Sequence, residues 1–268
     1  MQARWPKLGR LVTKNQAGWI HHEHINLGYI MVQVFDADPR KKFKVQLTKG
    51  DKKQNFSIMP VHDMVPIPMV FGSGDYTIVV ARHASGAAYT QALAMVKTCT
   101  LVDEFTTWLY PTAYCNYFAD SKCIALTNDI CKAAKSSLEN LQIISKAIMD
   151  LLEYDDDLAA NVDSWWIPVP DDVLQAKKSI CWGYSSLAAA LLRSQGIPTK
   201  IAVGRVDGGI MHSWIEAYIT ETGFIEGAFP IKANEWNLLD LTIADSLGGK
   251  KAYFNQMKDH QYVVEYYG

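Results

Sequence analysis

The chain has no stretch of ~18 consecutive apolar residues, the length that a membrane-spanning helix needs, so no span is expected. It also lacks excess charge. With 26 Lys and Arg against 28 Asp and Glu and no long basic run, it offers nucleic acid or an anionic membrane no bulk attraction. No Cys-x-x-Cys pair occurs. The five cysteines (Cys99, Cys115, Cys123, Cys131, Cys181) are an odd count in a chain too large to need disulfide staples, so reduced thiols are expected, four of them packing groups. Lys7, Arg10 and Lys14 interrupt the start of the chain and no apolar signal core is legible there, which leaves the compartment open.

What is present suits a globular protein: 268 residues, 49% hydrophobic and 20% charged, enough for two ordinary domains. From Leu27 to about Val80 the sequence reads as strands. Leu27 to Phe35 is apolar, Lys42 to Leu47 alternates with period two, Phe56 to Met59 is short, and Tyr76 to Ala81 and Tyr89 to Val96 follow. Pro60, Pro66 and Pro68 confine the intervening piece to an edge or a loop. The expectation is a small all-β, sandwich-like domain of five or six strands over residues 1–115. Within it His21, His22, Glu23 and His24 raise a metal site, but an extended segment presents only two ligands on one face, too few to close one, and a polar cluster is the expectation. The aromatic run between Val102 and Asp120 reads as packing between modules.

Two helices are expected next, over Asp120–Lys135 and from a Ser136/Glu139 capping box through Leu152. Tyr154-Asp155-Asp156-Asp157 then reads as a solvated helix end, since a calcium loop needs a Gly that is missing here. An irregular stretch, Ser164 to Pro170, carries Trp165 and Trp166.

The second half is organised around Ser179 to Lys200. The helix formers Leu187 to Arg193 follow Tyr184, and Gly196 with Pro198 stops the helix, so Cys181 falls at a helix N-terminus. Unpaired N–H groups and the positive end of the helix dipole there favour a thiolate. Ile201 to Val206 reads as a strand, Asp207-Gly208-Gly209 as a turn, Met211 to Ile219 as a strand carrying His212, and Trp236 to Thr242 as a strand ending near Asp240. Beyond it Asp245 and Gly248-Gly249 turn the chain, Lys251 to Lys258 reads as a short helix and Tyr262 to Tyr267 as a closing strand. Cys, His and Asp are the types needed for a thiol nucleophile, its base and the group that orients the base.

Cys181 with Tyr184, the run Leu191-Leu192-Arg193-Ser194-Gln195-Gly196-Ile197-Pro198, His212-Ser213-Trp214, and Asp240-Leu241-Thr242 together resemble the transglutaminase-like superfamily. That family's usual motifs are Gly-x-Cys-x-(Asp or Gly)-Tyr-Ala, Leu-Leu-Arg-x-x-Gly-Ile-Pro, His-Ala-Trp and Asp-Pro-Thr. The departures are Ser179 for Gly, Ser185 and Ser213 for Ala, and Leu241 for Pro; none removes a reacting atom, and Leu241 loosens the turn after the acid. The resemblance covers roughly residues 125 to 268, in a layout similar to that of bacterial members with a β accessory domain in front. It implies an α+β, papain-like fold over 116–268, with helices on an antiparallel sheet and a catalytic triad of Cys181, His212 and Asp240. It implies a peptidase or amidase if water accepts the acyl group, the reading favoured here, or a crosslinking transglutaminase if a lysine amine does. No metal or organic cofactor is required, and the partner is a peptide or protein substrate. Trp182 and Trp214 flank the Cys and His as candidate walls of an acyl groove, with core packing the alternative for Trp214. A binding or adhesion module with an idle triad is the competing class.

Overall fold

A computed structural model describes residues 3–60, 63–225, 229–242 and 260–268. The chain divides into two compact units, Trp5–Ala113 and Tyr114–Gly268, the latter joined by the first few residues. The readings at Asp245, Gly248-Gly249 and Lys251 to Lys258 lie outside the described residues.

The first unit is all-β and holds two four-stranded antiparallel sheets. Its strands are β1 (Val12–Asn15), β2 (Gly18–His21), β3 (Tyr29–Val34), β4 (Phe43–Lys49), β5 (Lys52–Ile58), β6 (Val65–Pro68), β7 (Gly74–Ser85) and β8 (Ala88–Cys99). One sheet runs β1-β2-β3-β6 and the other β5-β4-β7-β8. The alternation in β4 puts Phe43, Val45 and Leu47 inside with Lys44 and Gln46 outward, as a sheet with one wet face requires. Pro66 and Pro68 sit in β6 at a sheet edge, where a missing N–H costs no ladder bond. Eight strands exceed the five or six expected. The surplus is the hairpin β1–β2, whose first strand, Val-Thr-Lys-Asn, has no apolar alternation to betray it. The histidine cluster begins at the end of β2. His21 Nδ1 lies 2.8 Å from the Gly9 carbonyl and Glu23 accepts from the Arg10 and Leu11 N–H groups, leaving no convergent ligand set among the described residues.

The second unit is α+β, with helices on an antiparallel sheet. Helix α1 (Lys122–Ile130) is shorter than the 120–135 expected, and α2 (Ser137–Leu151) starts where its capping box predicts, with the Ser136 hydroxyl accepting the Glu139 N–H at 3.1 Å. The acidic run after it does not trail α2; Asp155 caps a new helix, α3 (Asp156–Asn161), accepting the Leu158 N–H at 3.0 Å. The irregular stretch ends at α4 (Pro170–Ala176), in which Pro170 takes the first helical position where no N–H is missed.

Helix α5 (Cys181–Ser194) is the centre of this unit, packed against α1, α2, α4 and the sheet. From Gly183 to Ser194 every residue is buried, and Ala188, Ala189 and Ala190 keep three successive positions thin enough for neighbours on every side. Gly196, at φ +73°, closes the helix in the left-handed conformation. The main sheet has the order β15 (Glu235–Leu239), β12 (Ile210–Ile219), β11 (Thr199–Val206), β16 (Tyr262–Tyr267), every pair antiparallel. Smaller pairings are the parallel contact of β9 (Glu153–Tyr154) with β10 (Lys178–Ser179) and the hairpin β13 (Gly223–Ile225)–β14 (Phe229–Ile231). Arg193 is fully buried and donates from Nε to the Thr199 carbonyl at 2.8 Å and from Nη2 to the Gly268 carbonyl at 2.9 Å, tying the end of α5 to the sheet.

Candidate active site

Cys181 is the first residue of α5. The residue before it, Ile180, makes no side-chain cap; its carbonyl accepts the Gly183 N–H at 2.9 Å, which leaves the N–H groups of Cys181 and Trp182 at the open end of the helix beside the thiol. Close packing fixes this turn. A Cβ on Gly183 would lie 1.9 Å from Ser179 Oγ and 2.6 Å from Ser179 Cβ, so only glycine at 183 lets the approaching strand lie against the helix. Ser179 is the departure from the family motif two residues before the cysteine, and Gly183 accommodates its side chain.

His212 comes from β12 opposite Gly204 of β11, and Asp240 follows the last residue of β15. Sheet pairing brings the two strands together, Ile215 opposite Leu239, and His212 Nε2 reaches Asp240 Oδ2 at 2.7 Å. A carboxylate only accepts, so Nε2 carries the proton and Nδ1 is the nitrogen left for the thiol. Burial opposes a charge on the imidazole, but hydrogen bonds and charges from Asp240 and Cys181 outweigh it and hold the His212 pKa up to about 10. The three side chains proposed from the sequence thus meet, although 31 and 28 residues separate them along the chain.

The cysteines divide as their surroundings dictate. Cys181 is partly exposed and the other four are buried. Burial raises the thiols of Cys99, Cys115 and Cys131 to about 11 and that of Cys123 further. These four are packing groups.

The two tryptophans part company. Trp182, partly buried beside the thiol, packs edge-on against Tyr114 at 5.2 Å and Trp166 at 6.1 Å between ring centroids. Trp214 does not face a groove: it is 1% exposed and clusters with Ala202 and Val206. Its ring lies 6.4 Å from that of His212 at an interplanar angle of 25°, so it is core support beneath the imidazole.

One tyrosine that sequence reasoning did not assign to the site touches it, and two more have titrations that respond to it. Tyr262 donates its hydroxyl to Asp240 Oδ2 at 2.9 Å. Tyr154, placed by the β9–β10 pairing opposite Ser179, and Tyr266 of β16 have pKa values raised first by burial and then by neighbouring charge that includes Cys181. The contacts are non-local, and the only available signal was a Tyr-rich strand closing the chain.

Residues 124–236 match the family model of the transglutaminase-like superfamily, a span that includes Cys181 and His212 and stops short of Asp240. No curated protein matches the chain by sequence. Among solved structures the chain is similar to a candidate cysteine protease of Cytophaga hutchinsonii at 14% identity and a TM-score of 0.40, covering 75% of this chain and 76% of that one. It is similar to the periplasmic domain of TgpA from Pseudomonas aeruginosa at 12% identity and a TM-score of 0.38, covering 91% and 99%. Red sea bream transglutaminase is matched at 14% identity and a TM-score of 0.35, the chain spanning 48% of that protein's length. Among the described residues no helix is long and apolar enough to cross a membrane.

Proposed function

We propose, for a chain whose residues 124–236 belong to the transglutaminase-like superfamily, that it is a thiol-dependent acyl-transfer enzyme acting on amide bonds of peptides or proteins, with water as acceptor. The observation that carries this reading is the His212 imidazole held between the Cys181 thiol and the buried Asp240 carboxylate.

In this reading the Tyr114–Gly268 unit is the catalytic domain and Trp5–Ala113 an accessory one. His212 holds the thiol proton as an imidazolium, with Asp240 fixing the ring and stabilising its charge. The Cys181 sulfur attacks the amide carbonyl carbon, and the carbonyl oxygen takes up negative charge against the N–H groups of Cys181 and Trp182. One such donor is typically worth ~3 kcal/mol of barrier. The C–N bond then breaks as His212 gives its proton to the leaving amine, and a thioester remains on Cys181. Water, deprotonated by His212, attacks that thioester, releasing a carboxylic acid and restoring the thiol. Trp182, packed against Trp166, walls the acyl side. Each of these steps uses side chains and backbone alone.

Incubating the protein and Cys181→Ala with a mixed proteome and a primary-amine probe tests the reading by mass spectrometry. New peptide termini that depend on Cys181 are expected. Amine-tagged glutamines in their place would make a crosslinking transglutaminase of the same site. No Cys181-dependent product of either kind overturns the enzyme in favour of a binding module.

A further inference from the structure

The Asp240 carboxylate is fully buried, and one of its oxygens serves two donors. Oδ2 accepts from His212 Nε2 at 2.7 Å and from the Tyr262 hydroxyl at 2.9 Å, while Oδ1 accepts the Thr242 N–H at 3.2 Å. Asp240 lies just past the end of β15, one step beyond the final pairing of Leu239 with Ile215. The next residue is Leu241, which leaves φ free where a proline would set it. The carboxylate is thus held at one oxygen by the imidazole and the phenol together, and at the other by the Thr242 N–H.

From this geometry we infer that Tyr262 is a positioning residue of the Cys181–His212–Asp240 site, its phenol holding the Asp240 carboxylate in the orientation that reaches the imidazole. The inference rests on the acyl-transfer reading of that site.

Tyr262 is itself well held. It opens β16 opposite Val206, and the start of that strand is clamped by Asp207. The Asp207 N–H donates to the Gln261 carbonyl at 2.9 Å, Oδ1 accepts the Gln261 N–H at 2.9 Å, and Oδ2 lies 2.6 Å from His260 Nδ1. The Tyr262 ring meets the buried Trp214 edge-on at 4.9 Å, and Trp214 in turn lies under His212. Phenol, indole and imidazole thus form one packed row, with the hydroxyl aimed at the oxygen that His212 uses. Among the described residues the charged and titrating groups facing the phenol are Asp240 with its partner His212, and Asp207 with its partner His260. Burial, followed by the negative charge of Asp240, pushes the Tyr262 pKa above its ordinary value, which keeps the phenol a donor throughout the working range.

The test reads the alkylation rate of Cys181 by iodoacetamide from pH 5 to 10, by mass spectrometry on the full chain. It needs no knowledge of the substrate. Tyr262→Phe is expected to slow alkylation at pH 7 roughly tenfold, the size of one lost hydrogen bond to a charged group, and to move the profile toward that of a free thiol near pH ~8.5. Asp240→Asn moves it the same way. The double variant is no slower than Asp240→Asn alone, because both act through one carboxylate. Replacing Tyr262 by 4-fluorophenylalanine fills the space of the hydroxyl and removes the donor, so the profile must shift there too even if the Phe variant folds poorly. A Tyr262→Phe profile that overlays the wild type, or losses that multiply in the double variant, overturns the positioning role while leaving the triad standing. Wild-type Cys181 reacting no faster than in His212→Ala overturns the triad, and this inference with it.

Discussion

Replacing His212 by Gln in a Cys181→Ala background removes one titrating group and leaves no thiol to exchange a proton with it, so the difference in pH-dependent stability between the two proteins isolates the imidazole. Burial works against its charge, but Asp240 and Cys181 lift its pKa from 6.5 to about 10, and the contribution of Asp240 remains when the thiol is removed. Between those values the folded chain binds a proton that the unfolded chain has released. The stabilisation is therefore complete below about pH 6.5, falls as pH rises, and is gone above about pH 10. At ~1.36 kcal/mol for each tenfold change in proton affinity, the whole effect is at most about 5 kcal/mol. Urea unfolding at half-unit steps from pH 6 to 10.5, following the transition that His212→Gln alters in the Cys181→Ala background, should show the advantage of the chain with His212 shrinking across that window. Tyrosines and lysines that titrate at the upper end cancel in the difference. The reasoning is refuted if the two stability curves run parallel, or if the advantage of the chain with His212 grows with pH.

The other expectations concern packing. Gly183→Ala should destabilise the Tyr114–Gly268 unit by about 1–3 kcal/mol, through the clash with Ser179, and Ser179→Gly in the same chain should restore most of the loss in a thermal melt. Trp214→Ala should cost about 3–5 kcal/mol in urea unfolding, as removal of a fully buried indole does, whereas a groove-lining role would leave stability nearly unchanged. Ser136→Ala should cost about 1 kcal/mol by loss of the α2 cap, with Cys181 alkylation unaltered.

Much of this molecule is legible where the chain speaks locally. The start of α2 follows from Ser136 and Glu139 three apart, and the end of α5 from Gly196 and Pro198, because capping chemistry is decided within one helical turn. Cys181 at a helix start was readable for the same reason, and the order Cys181, His212, Asp240 supplied the rest of the candidate site. The failures share a cause. Helix α4 hid in a Trp- and Pro-rich stretch whose Pro170 reads as a breaker when it is in fact the first helical residue. Asp155 reads from the sequence as the end of one helix and in the structure caps the next. Trp214 lies on the strand face of His212, as the spacing required, but only tertiary packing reveals that this face is closed. Tyr262 reads as part of a strand and lies in one, yet its acceptor is 22 residues away and no periodicity connects the two.

Helix α5 has no solvent-facing side from Gly183 to Ser194. A rod enclosed all round can neither slide nor roll without compressing its neighbours, so the sulfur at its tip inherits the rigidity of the protein interior. In the acyl-transfer reading, variation in what the site accepts must then arise at the rim, where Trp166 lies against Trp182, while the nucleophile keeps its address.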